Sequence, residues 1–271
     1  MTNSKRVAWF LIITFGWSWL FWWPEVFVAW GWLPKGGALE ILSRGTNPAP
    51  WGPLVGALAV AFMDGGLASI GRLLRRGIQL RFSWIWFAVI FGIFPLLIGG
   101  ALLLSVLQGE PLPTLTALQQ PAILPIVFLV ILFMGGPLQE EFGWRGTLLD
   151  PLQERFGALI ASLMVGVTWG IWHLPLFFIP SQDGIYYERP IWGLIVTTTL
   201  ISVLFTWVYN SCGRSIAAVL LLHTMFNFTH YLLPTLQSDI ASLYLFAGQF
   251  IAAVLVVWLF GAKRLTRVQL P

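Results

Sequence analysis

Glu140, Glu141 and Arg145 stand together in the run Glu140-Glu141-Phe142-Gly143-Trp144-Arg145, inside a chain that is otherwise mostly apolar. On a helix, residues four apart share a face, so Glu141 can pair with Arg145 in the favourable order of acid before base. Glu140 then lies about 100° round the axis, without a local cation. Neighbouring carboxylates resist ionising together, and a carboxylate in that position is suited to taking a proton from water and giving it back. The bland alternative is a helix-end salt bridge beside a solvated glutamate.

Two further stretches carry polar groups at the same spacing. Trp169 and His173, in Thr168-Trp169-Gly170-Ile171-Trp172-His173, share one helix face, and so do His223 and Asn227 in Leu222-His223-Thr224-Met225-Phe226-Asn227. Imidazole and carboxamide both donate hydrogen bonds without formal charge, which suits an oxyanion site in a dry pocket. Read alone, each is also an ordinary polar contact between helices. His230, seven residues past His223, ranks below them as a supporting or interfacial group. Asp64 is expected to pair with Arg72 and its neighbours, and the single cysteine, Cys212, is expected to be an ordinary loop residue outside any disulfide or metal site.

These groups must be placed by elements that suit a bilayer. The chain is 58% hydrophobic and 10% charged, with a mean hydropathy of +0.81, whereas soluble domains carry about 25% charged residues. A spanning helix needs about 20 mainly apolar residues. Cutting at charges and Pro/Gly clusters leaves about eight such stretches, at 7–30, 53–70, 84–107, 121–139, 158–179, 191–209, 215–234 and 240–261. The fourth continues as helix or near-helix through the Glu pair to about Phe156, and the first contains Pro24 and Glu25 near its far end. Its length and the lack of a small-residue cleavage site separate the first from a signal peptide. Arg72, Arg75, Arg76 and Arg81 predict a short amphipathic helix at the anionic leaflet. Of the 15 Lys and Arg, twelve fall on one side of these spans and three (Lys35, Arg44 and Arg189) on the other. That asymmetry puts both termini in the cytoplasm and the protein in the cell membrane as a multi-pass chain. The scattered basic residues argue against nucleic acid as a partner, and with neither internal repeats nor long linkers, residues 1–271 are expected to form one domain.

Ionisable groups at membrane depth cost about 2.5–3.5 kcal/mol each on insertion scales, so they mark function by default. Paired Glu with Arg, then His, then His-xxx-Asn, is what an amide hydrolase needs: a base for water and donors for a tetrahedral oxyanion. Over about residues 50–235 the chain resembles the CPBP (ABI) family of intramembrane glutamate-type peptidases, which includes the type II CAAX prenyl endopeptidases. The family's motifs EExxxR, FxxxH and HxxxN/D correspond to Glu140-Glu141-xxx-Arg145, Trp169-xxx-His173 and His223-xxx-Asn227. Trp169 stands where the family has Phe.

The resemblance implies an all-α integral membrane fold with an intramembrane cavity open to the cytoplasm. It further implies that Glu140 and His173 polarise a water, that His223 and Asn227 stabilise the oxyanion, and that Glu141 and Arg145 support the geometry. The aromatic Trp169 would pack its ring, no metal or other cofactor would be needed, and the partners would be membrane lipids and a peptide, prenylated or bacteriocin-like. Three rival readings stand beside this one. A zinc-dependent membrane protease would draw on the same ligand types, although no H-E-x-x-H pair is present. A proton- or ion-coupled transporter would use them as a path, although matching halves are absent. A non-catalytic immunity or binding protein would keep the pocket and lose the reaction.

Overall fold

The computed structural model describes residues 1–34, 36, 47–180, 186–187 and 189–267. Among these the fold is all helical. In chain order the helices are α1 (Asn3–Ala29), α2 (Gly52–Arg76), α3 (Trp84–Leu107), α4 (Leu124–Met134), α5 (Pro137–Gly143), α6 (Asp150–Phe156), α7 (Ala158–Trp172), α8 (Ile191–Ser211), α9 (Ile216–Leu232) and α10 (Asp239–Phe260). A π-helical turn, Trp144–Leu149, joins α5 to α6. Among the described residues, seven helical stretches are long and apolar enough to cross a membrane, and a further apolar helix, α9, has 17 residues. At 1.5 Å per residue α9 is about 26 Å long, slightly less than a hydrocarbon core of about 30 Å. The expected eight apolar segments are therefore present, with α9 the short one. Large apolar side chains such as Leu96, Leu107 and Trp258 are exposed, as lipid-facing residues must be.

Three expectations need adjustment. The fourth span is broken: α4 ends at Met134, and Gly135 and Gly136 separate it from α5, with Gly136 at φ +110°. Positive φ suits glycine because no Cβ clashes there. The basic segment after the second span does follow non-helical Gly65 and Gly66 as a short helical stretch of its own, but it stops at Arg76, before Arg81. Asp64 pairs with the terminal ammonium of Met1 (2.8 Å) and with Arg6 (2.5 Å), whereas Arg72 donates to Ser69 at 2.6 Å. Lys35 and Arg44, counted for orientation, lie outside the described residues.

The chain forms two compact units, each drawn from two stretches: Met1–Arg75 with Gln139–Ser202, and Arg76–Leu138 with Val203–Pro271. In the first unit α1 packs on α6 and on the π turn. It also receives the short 3-10 turn Ala49–Trp51, through Ser18 donating to the Ala49 carbonyl (2.7 Å) and Trp17 to that of Pro48 (2.8 Å). Glu25 finds a partner here, accepting from Asn47 at 2.9 Å. Helix α7 meets the start of α8 backbone to backbone. A Cβ on Gly166 would stand 2.7 Å from the Thr198 carbonyl oxygen, and one on Gly170 2.7 Å from the Ile195 Cα. Thr198 Oγ1 donates to the Gly166 carbonyl at 2.9 Å across the same seam. Small residues four apart permit this close approach within a membrane, and it fixes where the last turn of α7 lies.

In the second unit α3 packs against α9 and α10, and α4 against α9. Its core is aromatic, with Phe94 against Phe205 and Phe226 and Phe128 against Phe228. Ser215 caps α9 and Ser238 caps α10 by accepting from the backbone N–H of Ala218 and Ala241.

Candidate active site

The Glu pair lies in α5, just ahead of the π turn that holds Trp144 and Arg145. Glu140 is 5% exposed, and Glu141 and Arg145 are fully buried. Arg145 Nη1 donates to both carboxylate oxygens of Glu141, at 2.9 and 3.2 Å, and Nη2 donates to Ser202 Oγ at 2.9 Å. Its guanidinium also lies over the Trp169 ring, 4.8 Å from the centroid. A buried pair holds only when further contacts replace the water both ions lose. Here a hydroxyl and a ring face supply them.

Glu140 is held differently. Its Oε2 accepts from the indole N–H of Trp169 at 2.5 Å and from that of Trp144 at 3.2 Å. Indole is a donor only, so the direction of both bonds is fixed. Trp144 follows Glu140 by four residues, the same spacing that pairs Glu141 with Arg145, and that signal was present in the sequence. Trp169 was expected to contribute ring packing, and it contributes a hydrogen bond as well.

His173 closes α7 and lies within the same unit. Its Nδ1 is 2.8 Å from the Trp169 carbonyl oxygen. A carbonyl only accepts, so Nδ1 donates its hydrogen to it. Aromatic rings surround the imidazole. Trp22 and Tyr186 stack on it with centroids at 6.4 and 5.7 Å, and Trp172 meets it edge-on at 4.6 Å. Tyr186 lies outside the spans, and burial, then the negative charge of Glu140, push its hydroxyl above the usual tyrosine range. It therefore stays a neutral O–H. Ser202, Trp22 and Tyr186 lack a spacing signal in the sequence, because each reaches the site only through tertiary packing.

The first unit thus brings together Glu140, Glu141, Arg145, Trp169 and His173, and His223 and Asn227 belong to the second. His223 is 2% exposed and packs edge-on to Phe205, 5.6 Å between centroids. Asn227 donates from Nδ2 to the carbonyl oxygen of Gly135 at 2.8 Å. That carbonyl sits at the break between α4 and α5, where the interrupted helix leaves backbone groups to be satisfied. A primary amide has a second hydrogen to donate. His230 packs on Phe226 at 4.8 Å and lies 3.4 Å from the Thr235 hydroxyl. Cys212 is buried, and that burial pushes its thiol up to about 12.

Comparison with known proteins bears on this arrangement. Residues 122–229, which contain all three motifs, match the family model described as type II CAAX prenyl endopeptidase Rce1-like. The CAAX prenyl protease 2 of Methanococcus maripaludis is similar, with 30% identity over 117 residues, 42% of each chain. The motif-bearing segment is thus similar to Rce1-like CAAX prenyl endopeptidases. The chain spans less than half the length of that curated relative.

Proposed function

We propose that this protein is an intramembrane endopeptidase that hydrolyses a peptide bond with a water activated by Glu140. The observation that carries the reading is the state of Glu140: buried, gripped through one oxygen by two indole donors, and located on the Rce1-like segment. In this reading Glu140 takes a proton from the water while His173 Nε2 accepts a hydrogen bond from it. The oxygen attacks the scissile carbonyl carbon, and the C=O electron pair moves onto oxygen. His223 and Asn227 donate to the resulting oxyanion. The C–N bond then breaks, and the proton on Glu140 passes to the leaving nitrogen. Glu141 and Arg145 keep the turn in place beneath these steps.

The substrate class that fits the relative's name is a prenylated CAAX-type peptide, cleaved near the membrane interface. The twelve-to-three distribution of Lys and Arg supports a cell-membrane location with both termini in the cytoplasm. Purified protein in detergent, given matched lipidated and unlipidated peptides with product mapping by mass spectrometry, tests the reading. Cleavage at one bond, preferring the lipidated peptide and surviving chelation and dialysis, is the expected result. Absence of cleavage from both peptides overturns it, and loss of activity on chelation restored by zinc favours the metalloprotease.

A further inference from the structure

We infer that Trp169 is a positioning residue for this reaction: its indole N–H fixes the Glu140 carboxylate, and its backbone carbonyl fixes the tautomer of His173. The inference rests on the hydrolase reading and adds to it a residue that touches both reacting groups without reacting itself. Three contacts meet on this one residue. The indole edge donates to Glu140 Oε2 at 2.5 Å, the ring face lies 4.8 Å from the Arg145 guanidinium carbon, and the carbonyl oxygen is 2.8 Å from His173 Nδ1.

The physics of each contact strengthens the others. A cation over the ring face is attracted to its negative quadrupole and draws electron density away from the N–H, which makes it a better donor. The acceptor is a carboxylate, so the bond is charge-assisted, and both partners are buried where such bonds are stronger than in water. Trp144 supports the same oxygen from 3.2 Å, a longer and weaker bond. Trp169 itself is held in place because Gly166 and Gly170 lock α7 onto α8. A phenylalanine at this position would keep a ring over Arg145 and the carbonyl to His173, and would lose the donor along with some volume.

The test separates shape from hydrogen bonding. Trp169→Phe removes the donor with some loss of volume, and incorporation of benzothienylalanine at 169 replaces N–H by sulfur at nearly constant shape. Both are assayed on the lipidated peptide beside wild type, with ¹⁵N-labelled indole resonances recorded on the full-length protein in detergent. The expected result is a fall in kcat of roughly tenfold to a hundredfold, the rate equivalent of one charge-assisted hydrogen bond, with KM changed less than about twofold. The resonance that disappears in Trp169→Phe should lie downfield in wild type and move upfield in Glu140→Ala. Wild-type kcat in the benzothienylalanine protein, or an indole resonance indifferent to Glu140→Ala, overturns the inference. A wild-type protein that cleaves nothing, with an indole resonance that still responds to Glu140, overturns the hydrolase reading instead.

Discussion

In the first compact unit, three of the contacts that shape the site are local. Glu140 with Trp144, Glu141 with Arg145 and Trp169 with His173 are each four residues apart. In the second unit, Asn227 reaches across 92 residues to the carbonyl of Gly135 at a helix break. The first arrangement follows from helix periodicity once the segment is helical. The second exists only when α4 and α9 are already packed. Local pairs of this kind make a site that depends on the chemistry of its own residues, whereas the distal contact makes one that depends on the tertiary fold.

That contrast can be broken or sharpened by substitution. Glu141→Gln leaves the fully buried Arg145 without its carboxylate partner, and should lower unfolding stability by about 3–5 kcal/mol, measured by reversible denaturation in mixed micelles. If stability is unchanged, the first unit is not organised by this pair. His223→Ala should reduce kcat by about 10²–10³, as loss of an oxyanion donor does, with little change in melting temperature. A mainly structural His223 would show the opposite pattern. Gly166→Ala, which must push against the Thr198 carbonyl, should cost about 1–3 kcal/mol by overpacking and lower activity through the displaced end of α7. Asn227→Ala should cost about 1 kcal/mol and raise amide hydrogen exchange around Gly135. Unchanged exchange there would remove the distinction between the two units. Cys212→Ser should alter neither activity nor melting by a measurable amount, and the native thiol, buried and shifted to about 12, should resist alkylation at neutral pH.

Much of this organisation is legible in the sequence because the bilayer imposes a simple rule. Apolar runs of spanning length mark most of the helices, and i,i+4 spacing identifies the partner of Glu141, whereas Trp144, at the same spacing from Glu140, is recognised as a donor only in the fold. The break at Gly135-Gly136 was harder to read, since the apolar run continues through it and the glycines resemble the others scattered through the chain. Sequence proximity points Asp64 to the nearby Arg72, whereas the packed fold offers it Arg6 and the terminal ammonium. Ser202, Trp22 and Tyr186 were invisible for the same reason: only packing between distant segments carries them to Arg145 and His173.

Glu140 is the centre of the account, and the most direct test is a comparison of wild type with Glu140→Gln reconstituted in liposomes with a lipidated peptide. The exchange preserves shape and an acceptor for the two indoles while removing the carboxylate proposed to take the proton. The account predicts a fall in kcat of about 10²–10⁴, with melting temperature and peptide binding close to wild type. Equal cleavage by the two proteins would contradict it.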